Sequence, residues 1–420
     1  MSRPINSNVV SQHAEEVAML WLMRRAAVCS QHYSLVDLAK LDGRVEADLD
    51  GLRIAGEDGW KICDEQLAAN EDGEVFSAGV LVCESSNPAL MAKVLLVVEK
   101  EPKLAGALIS ALGWPPFEQV QSHIQTLLQS NNPVHQLVGI GASAVHRRHP
   151  GQFLLQAARS QDVGLKARAL KAAGEFQDRL MEREVTESLP NADAEVRFAA
   201  AWSGTLLGFS TAVPVLREIA ESGSRHARAA ASLAARRMDS AAAASWQKSL
   251  AGNPKHFRLA IIAAGAVGDP VLVPWLISLM GQLPLARLAG ESFTMITGVD
   301  LAYRDLERKP PEDFNAGPTE DPKDENVEMD PDDNLPWPEP SLVQKWWDKN
   351  RGQFQTGTRF LLGKPMSVEW LKTVLRDGRQ RQRAAAALEL AIREPGKPLF
   401  NVAAPGFRQQ QILGKGEVIR

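Results

Sequence analysis

Across residues 255–284, KHFRLAIIAAGAVGDPVLVPWLISLMGQLP, apolar positions recur at helical spacing on more than one face. Phe257, Ala260, Ile261 and Ala264 mark one stripe, and Leu259, Ile262, Ala263 and Ala266 mark another. A helix over 256–267 with that pattern has to be covered on more than one side. Gly268 then breaks it, Asp269 is placed to cap the next helix, and Pro270 sits where a missing N–H costs nothing. A second helix carries Val273, Trp275, Leu276, Leu279 and Met280 and stops near Gly281. Such a hairpin cannot bury its own apolar surface, so the pattern predicts neighbours of the same kind.

Comparable segments begin near Gly73, Lys103, Val134, Gly164, Ala194, Arg225, Lys255 and Leu285, at spacings of 30 or 31 residues. Turn chemistry marks the joins, as at Asn132-Pro133, Gly223-Ser224, Asn253-Pro254 and Leu283-Pro284. In residues 194–222 Arg197 falls at the offset of Arg258, and Pro214 falls near that of Pro274. A short fixed period built from helix pairs predicts an all-α solenoid in which each repeat touches mainly its neighbours.

The segments VRFAAAWSGTLL and FRLAIIAAGAVGDPVLVPWLISLM resemble HEAT repeats of the short, Ala-rich kind found in phycobilin-lyase-like proteins. That resemblance covers about half the chain. It implies a right-handed α-α solenoid of HEAT-like hairpins with a period of about 30 residues. It says almost nothing about activity, because function resides in sites grafted on folds.

The flanks follow other patterns. Helices are expected over 9–30 and 34–55, the second with the stripe Leu35, Leu38, Leu41, Val45, Leu49 and Leu52, and a further helix starts near Trp60. Residues 1–72 do not keep the repeat period and are expected to form an N-terminal helical cap. The array proper is expected over 73–301. Residues 302–340 are rich in proline and acid, with 13 Asp and Glu against 4 Lys and Arg. This stretch carries −9, so the rest of the chain, whose total is −4, carries +5. Proline at that density rules out helix. The sequence is helical again over 341–350, 367–377 and 379–393, so 341–396 is expected to hold C-terminal repeats and 397–420 an arm lying on the surface or trailing. The helix at 341–350 would complete the repeat begun at Leu285, which makes 302–340 a long acidic, Pro-rich insert within one repeat; such inserts map to loops on one face, often the binding face.

Residues 41–60, LDGRVEADLDGLRIAGEDGW, with LISALGW (108–114), ESFTMITGVDL (291–301), the insert, Trp346-Trp347 and FLLGKP (360–365) are similar to a bacterial HEAT-repeat family. This similarity spans nearly the whole chain. Members are often encoded among type VI secretion spike and effector-delivery genes. That implies an accessory or adaptor role and supplies no catalytic residues.

Charge and chemistry change this picture little. A net charge of −4 argues against a nucleic-acid partner. The apolar run 17–23 is too short and too closely flanked by charge to span a bilayer, and no signal peptide is visible, so no membrane partner and a cytoplasmic location are expected. Cys29, Cys63 and Cys83 are read as buried free thiols. Gly139 to Ala144 match a dinucleotide fingerprint by letters only, and are better read as small residues for close helix packing. Residues 357–364, GTRFLLGK, fail the phosphate-loop spacing. His146 and His149 lack acidic or thiol neighbours in sequence, so neither metal nor cofactor is expected.

What remains is a set of candidate partner-binding residues. Arg197, Arg228 and Arg258 recur in successive repeats, with Arg168 one residue off, and serve either as local caps and ion pairs or as a basic groove. Asp330, Asp332 and Asp333 end the insert and form a hydrated loop, an irregular calcium site, or a strip that docks on a basic face, this chain's own included. Trp337, Trp346 and Trp347 are either core residues or interface anchors. The expected function is a non-enzymatic scaffold that binds a protein: a secretion effector, a spike component or a toxin. Alternatives are an immunity protein and a HEAT-like enzyme of the DNA glycosylase or bilin lyase type.

Overall fold

The computed structural model describes residues 6–85, 87–312, 314, 316–317 and 329–414. The described chain is all-α with consecutive helices packed on one another. It divides into two compact units, one of residues up to Ala212 together with those from Leu375 on, and one of Val213–Val374.

The first unit opens with α1 (Ser7–Ala27), α2 (Leu35–Ala55) and α3 (Glu57–Gln66), which pack together. Ser34 caps α2 with a capping box completed by Asp37, and the predicted stripe from Leu35 to Leu52 is buried. Cys63 and Cys83 are buried, but Cys29 is exposed, because α1 stops at Ala27 and leaves it in the following turn. Helix pairs follow: α4 (Asp72–Glu84) and α5 (Pro88–Lys100), α6 (Ala105–Leu112) and α7 (Phe117–Gln129), α8 (Pro133–Val145) and α9 (Gln152–Ala158), α10 (Val163–Phe176) and α11 (Glu182–Glu187), then α12 (Ala194–Leu207). Each even-numbered helix packs on the next one, α4 on α6 through to α10 on α12. Of the odd-numbered partners, α7 lies mainly against α8, α9 against α10 and α11 against α12, while α5 lies against α4.

Small residues set this spacing. A Cβ on Gly174 would stand 2.6 Å from the Ser203 Oγ and 2.8 Å from its Cα, and that hydroxyl donates to the Leu170 carbonyl at 2.7 Å. Gly139 and Gly141 sit mid-helix in α8, packed toward Leu128 and Ile109, with no strand or phosphate-binding turn before them.

The second unit holds α13 (Ala212–Glu221), which begins at the boundary, then α14 (Ala227–Arg237), α15 (Ser240–Ala251), α16 (Phe257–Val267), α17 (Val273–Leu279), α18 (Leu283–Thr297) and α19 (Pro340–Asn350). Here α14 packs on α16 and α16 on α18, again with a hydroxyl at the crossing: Ser292 Oγ donates to the Ile261 carbonyl at 2.9 Å beside Gly265. Asp269 accepts from the Val271 N–H with Pro270 at the first helical position. Helix α19 packs on α17, and its Val343 and Trp347 join Leu276, Phe293 and Ile296 in one core. Full burial of such side chains stabilises by roughly 1.5–3 kcal/mol each. The GTRFLLGK stretch forms a short hairpin of β1 (Phe360–Leu361) and β2 (Lys364–Pro365). Its backbone caps the ends of α16 and α18: the Phe360 N–H donates to the Gly268 carbonyl and the Leu362 N–H to that of Met295, both at 2.8 Å.

Helix α20 (Val368–Asp377) leads to α21 (Gln380–Arg393) and the short α22 (Gly406–Ile412), and from Leu375 on the chain belongs to the first unit. Among the described residues after Gly396, 397–414 do not trail. Leu399, Ala404 and Gln409 are buried, and α22 packs on α2.

Candidate interaction surface

The arginine row is where sequence and structure meet most directly. Arg228 is the second residue of α14 and Arg258 the second of α16. Arginine in a first turn opposes the helix dipole, so each position calls for a carboxylate. Arg228 Nη2 meets Glu291 of α18 at 3.2 Å. Arg258 Nη2 meets the Asp332 carboxylate at 2.7 Å, and its Nη1 donates to the Pro284 carbonyl at 2.9 Å. One helix further on, Arg287 pairs with Asp330 and donates through Nη1 to the Asp332 backbone carbonyl at 3.0 Å. Arg287 was not among the residues singled out from sequence. The signal was there, since it follows Arg258 by 29 residues, close to the repeat period.

The described part of the insert thus lies on the first helices of its own unit. Its two arms pair in antiparallel fashion, with Arg308 N–H to the Trp337 carbonyl and Glu339 N–H to that of Leu306, both at 2.8 Å. The Asp332 N–H is held by Asp330 Oδ1 at 2.9 Å, which shapes the turn that presents both carboxylates. Asp332 is buried; Asp333 is exposed, accepts from Asn334 Nδ2, and meets no arginine among the described residues. The centre of the insert falls outside the described residues.

The three tryptophans pack inside the second unit. Trp337 is 8% exposed, with the Arg287 guanidinium 4.6 Å over its ring and Phe314 edge-on at 5.2 Å. Trp347 is 6% exposed and Trp346 half-buried, edge-on to Phe293 at 5.7 Å. Their placement is that of core residues, because adjacent rings on α19 find Phe293 on one side and Phe354 on the other.

In the first unit Arg197 is half-buried on α12. Arg168 of α10 pairs with Glu175 at 2.6 Å, and Lys171 lies 5.3 Å over the Trp202 ring. Burial pushes the Glu175 carboxyl up, but Arg168, Arg147 and Lys171 outweigh it and hold it below the ordinary carboxylate range. Burial pulls the Lys171 ammonium down, against the pull of Glu175. A cleft of about 500 Å3 opens between α7, α8 and α22, lined by Phe117, Glu118, His146, Arg148, Phe407 and Arg408 among others. His146 Nε2 donates to the Leu112 carbonyl at 2.8 Å, and burial pulls its pKa down to about 4. His149 meets Asp178 at 3.0 Å.

These groups serve ion pairing and capping. Among the described residues no three His, Cys, Asp or Glu side chains gather as metal ligands, and no helix is long and apolar enough to cross a membrane. What the second unit does offer is a row of guanidinium groups that holds carboxylates of an extended segment. Comparison with family models, with curated proteins and with solved structures finds no match to this chain.

Proposed function

We propose that this chain is a non-enzymatic scaffold that holds another protein, and that it acts as an adaptor or accessory factor for a type VI secretion effector or spike component. The repeat of first helices packed on first helices at about 30-residue intervals supports a right-handed α-α solenoid of HEAT-like hairpins. The observation that carries the binding role is the pairing of Arg258 with Asp332 and of Arg287 with Asp330, in which successive helices hold carboxylates of a non-helical segment. Arginine is enriched where interfaces are energetically decisive. The secretion assignment rests on the sequence similarity of residues 41–60, 108–114 and 291–365.

Deletion of the gene, followed by an assay of effector export, tests this reading. Loss of export, restored by the wild-type gene, is the expected result. Normal export with loss of protection against sister cells would replace the adaptor with an immunity protein. Release of a base from DNA by the purified chain would overturn the non-enzymatic reading.

A further inference from the structure

The seat beneath the insert holds more donors than the insert fills. Arg287, with a side chain 8% exposed, uses Nη1 and Nη2 on the Asp332 carbonyl and the Asp330 carboxylate, yet its Nε is shielded from solvent without an acceptor. Arg308, on the opposite arm of the insert, has both Nε and Nη2 shielded and unaccepted. Those two N–H groups form the edge of a guanidinium that grips a carboxylate through two parallel bonds. Buried donors without acceptors are rare because each carries a desolvation penalty. At the other end of the row the Arg228 side chain is 45% exposed and reaches Glu291 at 3.2 Å, longer than the 2.7 Å contact of Arg258 with Asp332.

The resident segment also shows what the row recognises. Asp330 and Asp332, two residues apart, reach Arg287 and Arg258 on neighbouring helices, so carboxylate spacing matches helix spacing. Trp337 supplies an aromatic face 4.6 Å from Arg287. The turn that presents the two carboxylates is held by electrostatics and hydrogen bonds, whereas the arms beside it also bury Leu306, Leu335 and Trp337. The turn is therefore exchangeable against another segment of like chemistry.

We propose that Arg258 and Arg287 of the row, flanked by Arg308 on the opposite arm of the insert, form a docking site for an acidic, extended segment of a partner protein, and that Asp330 and Asp332 occupy it in cis as a resident competitor. A partner with two carboxylates two residues apart displaces the turn that carries Asp330 and Asp332 and takes up the open donors of Arg308 on the opposite arm, which stays in place. This deepens the scaffold reading and names the chemistry of the partner's contact segment.

The test is a titration of a labelled peptide of residues 329–338, MDPDDNLPWP, against the full chain. The double variant Asp330→Asn/Asp332→Asn vacates the row. It is expected to bind the peptide at least about tenfold more tightly than wild type, because a cis competitor multiplies the apparent affinity by the free fraction. Adding Arg258→Glu to that variant, or raising the salt, should abolish binding. If the double variant loses helicity, Asp330→Asn alone, at a partly exposed site, carries the same titration. Equal, negligible binding by wild type and by a folded variant would overturn the proposal and reduce the contact to an internal brace. The outcome is separable from the scaffold reading: export can fail to depend on the gene while the peptide binds, and the reverse.

Discussion

The acidic insert of the second unit and the C-terminal segment of the first are both held by arginines, but the acceptors differ. In the insert they are side-chain carboxylates at a partly exposed rim: Arg258, 38% exposed, to the buried Asp332, and the buried Arg287 to Asp330. In the C-terminal segment they are mostly neutral oxygens. Arg408 donates to the carbonyls of Gly113, Trp114 and Pro115 at 2.7–3.0 Å and so closes the end of α6. Arg383, fully buried, donates to the Leu375 carbonyl and to the side chains of Gln380 and Gln409. Burial pulls its pKa down to about 10, so it remains charged at neutral pH without any carboxylate beside it. The exception is one sealed pair. Asp42 meets Arg24 Nε at 2.5 Å and accepts the Gly406 N–H at 2.5 Å, while Arg24 Nη2 donates to the Ala403 and Ala404 carbonyls at 3.0 Å. Contacts to backbone oxygens in a dry setting resist salt, whereas exposed ion pairs yield to it. One segment is tied mainly to backbone oxygens, and the acidic turn of the other is tied by charge.

The largest effect should come from breaking the sealed pair. Asp42→Ala leaves the buried Arg24 guanidinium without its carboxylate and the Gly406 N–H without an acceptor. A loss of about 3–5 kcal/mol is expected, read as a lower urea midpoint with early exposure of residues 399–412 to hydrogen exchange. Replacing both partners, Arg24→Met with Asp42→Leu, should recover much of that loss, because burial already pushes the Asp42 carboxyl up despite Arg24. A double variant as unstable as Asp42→Ala would show that geometry at Gly406, rather than charge, fixes the segment.

Acid should act next, through His146. Its Nε2 donates to the Leu112 carbonyl, so Nδ1 carries no proton and faces Arg408 Nη1 at 3.4 Å. A proton there would set two cationic donors against each other, with Arg148 adding repulsion and Glu118 attraction. The folded pKa of about 4 lies below the unfolded value of 6.5, so between them the unfolded chain binds the extra proton. Stability therefore falls as pH drops from 6.5 toward 4, by about 3 kcal/mol for this group. His146→Gln keeps a donor for Leu112 and should remove that component, seen as a flatter dependence of the urea midpoint on pH. Identical pH profiles would take His146 out of the account.

The two segments also differ in how far sequence revealed them. The helices were legible because two periods coincide: the helical stripe, as in Phe257, Ala260, Ile261 and Ala264, and the repeat of about 30 residues that carries it. The arginine row was legible in part, since Arg228 and Arg258 share an offset, while Arg287 sits deeper in a helix that begins earlier, at Leu283. The C-terminal segment was not legible, because its contacts run through backbone carbonyls of Ala403, Ala404, Gly113 and Trp114, which leave no residue pattern. Hairpin β1–β2 escaped for the same reason: it is held by the backbone ends of α16 and α18. Trp346 and Trp347 were ambiguous because neighbouring positions on a helix point about 100° apart, and here Phe293 packs against the half-buried Trp346 and Phe354 against the buried Trp347.

Arg258→Gln should cost less than either change above, about 1–2 kcal/mol of local stability, because it weakens one charge-assisted bond to a partly exposed donor. Hydrogen exchange at the amides of Leu335 and Glu339 reads it directly, since their bonds to Asp332 and Leu306 close the segment. Raising the salt should speed exchange at those amides in wild type and leave the Gly406 and Gln409 amides of the other unit unchanged. Equal acceleration at both places would erase the distinction between attachment by charge and attachment to backbone oxygens.

The smallest effect, expected at Asp333→Asn, is the one that separates placed charge from bulk charge. Asp333 sits beside Asp332 and contributes equally to the net −9 of the insert. If overall acidity held the segment, losing either carboxylate would weaken it alike. If geometry holds it, Asp333 is idle: it is exposed, and its carboxylate accepts from Asn334 Nδ2 rather than from an arginine. Exposed charges of this kind contribute within about 0.5 kcal/mol. Exchange at Leu335 and Glu339 should therefore match wild type in Asp333→Asn while it accelerates in Arg258→Gln. Matching acceleration in both variants would mean that the arginine row senses the field of the whole insert, and the two-residue carboxylate spacing would lose its meaning as a recognition element.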